Sequence, residues 1–229
     1  NPHLLVEDMS PCNNDHIQPT DLNTFHMYPK GYQGSKNTVA DRERNTYPGS
    51  ANNFWGGFRQ ESEPWLNSEF GGDYDVSWCF KYQTDIQRQY EKLNGYVYTE
   101  PYDIEYERNG VLTYDRRDKI FGYEDVAYGG DMSIIDLNQP NYVGVDIDPA
   151  LKAAPGSQYT APVVAMNWSG ETLENPVLKW RFDATDIYGN YITTGKSGEV
   201  PMDFAPYTRE QHDISFSLPS QKCVGTFTV

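Results

Sequence analysis

Pro64-Trp65-Leu66-Asn67-Ser68-Glu69-Phe70-Gly71-Gly72 decides the fold of this chain. It reads as a short strand closed by two glycines that allow a sharp turn. From Ser77, an N-cap residue type, Trp78, Tyr82, Ile86, Tyr90 and Leu93 recur at helical spacing. Asp85, Gln87, Arg88 and Lys92 fall between them, so an amphipathic helix is expected. Asn94-Gly95 is a stop signal, and Gly95-Tyr96-Val97-Tyr98-Thr99 resumes as strand. Strand, helix and strand within about 35 residues make a parallel crossover. His3 to Met9 and Asp21 to Tyr28 read as two earlier strands of the same sheet, with long polar, aromatic-rich loops between the elements. In such sheets functional residues sit at the carboxyl ends of the strands.

Near residue 145 the chain changes character. Leu178, Trp180 and Phe182 alternate with Lys179, Arg181 and Asp183, a half-buried strand. Gly189-Asn190 supplies a two-residue hairpin turn into Tyr191-Ile192-Thr193. Pro162 to Trp168 and Ile214 to Leu218 add further strands, and Val224 to Val229 end in mid-strand. The expected architecture is α/β followed by all-β. Residues 1–130 form the α/β part, 131–144 a linker, and 145–229 an antiparallel sandwich of immunoglobulin type.

The whole chain has 229 residues, of which 38% are hydrophobic and 14% aromatic, so a packed core is expected. No run of 18 or more apolar residues occurs, which excludes a membrane-spanning helix. A net charge of −15 excludes nucleic-acid binding, which needs clustered cations. Cys12, Cys79 and Cys223 show neither zinc spacing nor a disulfide framework. His3, His16, His26 and His212 lack a tight ligand spacing, so no metal and no cofactor are expected. The acidic stretch Asp183 to Gly189 fails the calcium-loop pattern and suits a hairpin better. No nucleophile elbow or phosphate-cradling loop is present. What remains is Glu69, a carboxylate on a strand end among aromatics, the setting of a nucleophile that attacks an anomeric carbon.

Asn67-Ser68-Glu69-Phe70-Gly71-Gly72 resembles the nucleophile strand of glycoside hydrolase family 2, the β-galactosidase, β-glucuronidase and β-mannosidase group. Asp21 to Pro29, with His26-Met27-Tyr28-Pro29, is similar to that family's sixth barrel strand. Tyr96 to Glu105 resembles its eighth, and Asn109 to Arg116 continue the likeness. By this resemblance residues 1–130 are the C-terminal half of a (β/α)8 TIM barrel, with His3 to Ser10 as strand five. The sandwich is then the accessory domain that often follows the barrel. Three departures stand out. Glu100 replaces a commoner Gln, Cys12-Asn13 fill a loop that is often aromatic, and no Asn-Glu dipeptide supplies the acid/base.

The resemblance implies a retaining β-glycosidase acting on terminal β-glycosides, with Glu69 as the nucleophile. It implies that His26, Tyr28, Tyr98, Glu100 and Asp15 bind the substrate, and that Tyr28 or Tyr98 bonds the nucleophile. The acid/base would belong to a missing N-terminal portion of the same protein, and the setting preferred is periplasmic or secreted. A non-catalytic carbohydrate-binding protein on a degenerate barrel and sandwich is the alternative reading, and the nucleophile motif argues against it.

Overall fold

The computed structural model describes residues 3–8, 15–17, 19–71, 76–119 and 138–229. The chain divides into two compact units, Asn1–Ile120 and Phe121–Val229. Among the described residues the first contains strands and helices and the second strands alone.

In the first unit β1 (Asn23–Met27), α1 (Gly31–Asn45), β2 (Trp65–Phe70), α2 (Val76–Arg88) and β3 (Leu93–Tyr98) follow one another. The three strands are parallel in the order β1-β2-β3, so each helix is a crossover between neighbours. Phe25, Met27, Val39, Trp65, Phe70, Ile86 and Leu93 are buried here. Each contributes roughly 1.5–3 kcal/mol relative to exposure. Phe25 stacks on Trp65, with ring centroids 5.0 Å apart.

The strand expected from His3 to Met9 does not form over residues 3–8, and Met9 lies outside the described residues. The backbone groups concerned have other partners. Asp21 accepts from the Val6 amide at 2.8 Å, and Thr20 donates to the Val6 carbonyl at 3.0 Å. On the facing edge of β1, the Thr24 amide donates to His16 Nε2 at 2.9 Å. His16 is fully buried, and its Nδ1 bonds Asp8 at 2.5 Å. Of the four strands expected in residues 1–130, three form among the described residues.

Helix α1 forms where the sequence reads as a polar loop. Only Tyr32, Ser35 and Val39 are buried in it, too narrow an apolar stripe to register as a period. Packing holds it, with Tyr32 edge-on to Tyr82 at 6.0 Å. Helix α2 stops at Arg88 rather than at Asn94-Gly95, and Ser77 is helical rather than a cap. Tight turns from Gln89, Tyr90 and Leu93 to carbonyls three residues back end it, and Leu93 opens β3. Asn94 instead accepts from the Trp65 amide at 3.1 Å and anchors the start of β2.

The second unit contains β4 (Asn141–Val145), β5 (Gln158–Asn167), β6 (Val177–Asp186), β7 (Tyr191–Pro201), β8 (Thr208–Ser217) and β9 (Cys223–Thr228). They form two antiparallel sheets, β4-β5-β8 and β7-β6-β9. Val163 and Ala165 of β5, Ile214 and Phe216 of β8, and Leu178, Phe182 and Ala184 of β6 share one core. Strand β4 occupies part of the expected linker, because its backbone pairs residue for residue with Val163–Asn167. The β6–β7 loop has four residues, Ile187 to Asn190, rather than two. The Asp186 carboxylate sets its length by accepting from the Tyr188 and Asn190 amides at 2.8 and 2.9 Å.

Candidate active site

The three parallel strands end along one edge, and β2 is distorted just before it. Phe25 pairs with Asn67, but the next pair is His26 with Glu69, which leaves Ser68 over. On the other side Asn67 pairs with Tyr96 and Phe70 with Tyr98, so Ser68 and Glu69 face Val97 alone. This bulge breaks the alternation of the strand and re-aims Glu69. Asn67 supports the bulge from beneath. Its Oδ1 accepts from the Glu69 amide at 3.2 Å, and its Nδ2 donates to Gln87 Oε1 on α2 at 2.8 Å. Gly71 then turns the chain at φ +137°, where a Cβ would stand 2.5 Å from the Thr99 carbonyl oxygen. Only glycine fits that approach.

Tyr28, one residue past β1, donates its hydroxyl to Glu69 Oε1. His26 Nδ1 lies 3.6 Å from the same oxygen. Among the described residues Glu69 Oε2 has no hydrogen-bond partner, and the side chain is 32% exposed. One carboxylate oxygen is thus held while the other is accessible. Burial, the bond to Glu69 and the charges of Glu69 and Glu107 all push the Tyr28 phenol above its ordinary value, with Thr99 opposing. Tyr28 therefore remains a donor throughout the neutral range.

The other expected site residues divide. Tyr98 donates to the Asn109 carbonyl at 2.7 Å, not to Glu69, and its ring packs on Phe70 and Phe80. Burial is the first cause of its raised phenol pKa. Glu100 follows the end of β3, and its buried Oε1 has no hydrogen-bond partner among the described residues. Its carboxyl is pushed up by burial, then by Glu107, Asp103 and Glu69, with Lys119 opposing. Lys119 itself is paired with Asp103 at 2.6 Å. Asp15 is half-buried, and its charge acts on Arg42 of α1. Tyr28, His26 and Glu100 thus share Glu69's surroundings, whereas the bonding of Tyr98 and the charge of Asp15 are directed elsewhere.

Glu107 and Thr99 were not singled out in the sequence, although both act on Tyr28. Thr99 directly follows β3, where functional residues were expected, but Glu107 sits in a turn with no motif. Asp8 and His16 look like a second acid–histidine pair. Burial raises the Asp8 carboxyl, but the bonds from His16 and the Ile17 amide more than offset it and hold the group below its usual value. Both side chains are buried, and His16 Nε2 accepts from a backbone amide, so the pair bridges segments of the fold. Among the described residues no three His, Cys, Asp or Glu side chains cluster to hold a metal ion. No described helix is long and apolar enough to cross a membrane.

No family model matches this sequence, and no curated protein matches it. Among solved structures, the crystal structure of Bacteroides uniformis β-glucuronidase is similar at a TM-score of 0.35 and 11% identity. A structure of Bacteroides uniformis β-glucuronidase 2 covalently bound to cyclophellitol-6-carboxylate aziridine gives the same values. In both, the match covers 87% of this chain and 26% of that chain. The chain therefore spans about a quarter of the length of these structures, and a superposition at that score is too loose to assign a family.

Proposed function

We propose that this chain carries the nucleophile of a retaining β-glycosidase resembling glycoside hydrolase family 2. In this reading β1, β2 and β3 are the sixth, seventh and eighth strands of a (β/α)8 barrel, and the sandwich is its immunoglobulin-like accessory domain. Glu69 Oε2 attacks the anomeric carbon while Tyr28 holds Oε1. His26 and Glu100 bind sugar hydroxyls at the same edge. The acid/base Glu belongs to an N-terminal portion of the same protein, since no Asn-Glu dipeptide occurs in these residues. The observation that carries the reading is the Tyr28–Glu69–His26 group beside a strand bulge, with one carboxylate oxygen anchored and one accessible.

The test uses 2-deoxy-2-fluoro-β-glycosyl fluorides of galactose, glucuronic acid and mannose. Attack forms a Glu69–C1 ester and breaks the C1–F bond, and fluoride leaves without needing a proton. A mass gain on the peptide holding Glu69, absent in Glu69→Gln, is expected with at least one reagent. No labelling by any of the three overturns the proposal. Unactivated β-glycosides are not turned over by the chain alone, because proton donation to the leaving oxygen is typically worth about 10²–10⁴-fold.

A further inference from the structure

The segments that follow the three parallel strands meet at the Glu69 edge, and their charges are unbalanced. Glu100 stands beside the strand that carries Glu69. The Thr99 amide donates to the Phe70 carbonyl at 2.8 Å, and the Thr99 carbonyl closes against Gly71. Glu107 is folded back on Ile104 by two backbone bonds of 3.1 and 2.7 Å. Its charge acts on Glu100 and on Tyr28, the donor to Glu69. Asp103 and Glu69 act on Glu100 as well. Glu69, Glu100, Asp103 and Glu107 are thus one group of interacting carboxylates around the accessible nucleophile.

Cations do not offset them. The sequence between β1 and α1 holds Lys30, and that between β2 and α2 holds no Lys or Arg. Beyond β3 come Arg108, Arg116, Arg117 and Lys119. Lys119 donates to Asp103 at 2.6 Å and to the Arg108 carbonyl at 3.0 Å. Arg117 pairs with Asp115 at 2.7 Å, and Arg116 lies 3.7 Å over the Tyr102 ring. Lys30 and Arg108 are not among the strongest influences on Tyr28 or Glu100. A sugar carboxylate is ordinarily held by a guanidinium fork or an ammonium. A uronide poised for attack by Glu69 brings its carboxylate within one ring width of the anomeric carbon. That is inside the Debye length of about 8 Å at physiological salt, so like charges repel there. Sugar hydroxyls, in contrast, donate to carboxylates. We propose that Glu100 and Glu107 make this site select neutral β-glycosides and reject uronides. The proposal rests on the reading of Glu69 as the nucleophile.

The test compares reagents that differ in charge, the 2-deoxy-2-fluoro-β-glycosyl fluorides of uronic acids and their methyl esters. Both forms are used in the glucose, galactose and mannose configurations, and labelling is read as the mass gain on the peptide holding Glu69. In the configuration that labels, the ester is expected to react at least about tenfold faster than the acid at about 0.1 M salt. The gap narrows at about 1 M salt, where the Debye length falls to about 3 Å. Glu107→Gln narrows it at low salt, and the salt series alone decides if that variant does not fold. An acid that labels as fast as its ester overturns the selectivity and leaves Glu69 as the nucleophile. A gap that neither salt nor Glu107→Gln reduces means that size rather than charge discriminates, and the proposal fails. No labelling by any reagent removes the nucleophile reading and this inference with it.

Discussion

At Asn67 one buried amide serves two partners, the Glu69 backbone and the Gln87 side chain. Asn67→Ala leaves both without a partner in a dry place. A loss of about 1–3 kcal/mol is expected in chemical unfolding, together with slower labelling of Glu69 by the fluoro reagents. At Glu100 the sign of the pH effect follows from its raised carboxyl. The folded chain holds that proton more tightly than the unfolded chain, whose carboxyl titrates near about 4.3. The stabilisation is therefore complete below the unfolded value and is lost as pH rises through the folded one. Glu100→Gln is expected to raise the melting temperature at about pH 7 and to leave it unchanged at about pH 3. An effect of the same size at both pH values contradicts this account. Glu69, His26, Tyr28 and Glu100 were legible as candidates because they lie on or just past strand ends. Nothing in the sequence told Tyr28 from Tyr98 as the partner of Glu69. Each is a tyrosine at a strand end, and the choice depends on which carbonyl or carboxylate the fold brings to each hydroxyl.

Among the elements, β2 and its glycine stop were readable because apolar spacing and Gly71 are local signals. The tertiary reason for Gly71, the Thr99 carbonyl 2.5 Å from where a Cβ would sit, is not local. Gly71→Ala is expected to cost about 1–3 kcal/mol through backbone strain and displacement of the β3 end. Equilibrium denaturation measures it, and a neutral effect would mean that the turn relaxes freely. Helix α1 escaped notice because its sequence is polar nearly all round and its stability comes from burying Tyr32 and Val39, with Tyr32 packed edge-on to Tyr82 of α2. The end of α2 was misplaced by two residues of helical spacing, Tyr90 and Leu93, of which Leu93 is buried as part of a strand.

On the scale of the molecule, the second unit owns a core drawn from both of its sheets, with Val163, Phe182, Phe204, Ile214 and Phe216 at its centre. The fragment Phe121–Val229 is expected to unfold cooperatively on its own, with a β-type far-ultraviolet spectrum. A broad, non-cooperative melt would show that this core is insufficient. The first unit differs, since β3 pairs with one strand only among the described residues, while His16 takes the Thr24 amide on the other edge of β1, and an unpaired edge such as that of β3 invites association. By itself the sequence determined the parallel crossover around β2, the alternating strands of the second unit and the carboxylate at a strand end. Each of these is written in periodicity or in glycine and asparagine punctuation over a few neighbouring residues. The tertiary structure alone decided that residues 3–8 are irregular, that α1 is helical and that Ser68 bulges. It also decided that Tyr28 rather than Tyr98 bonds Glu69. Those outcomes depend on which distant group reaches a given amide, hydroxyl or ring first, and partners so far apart in the chain leave no local pattern.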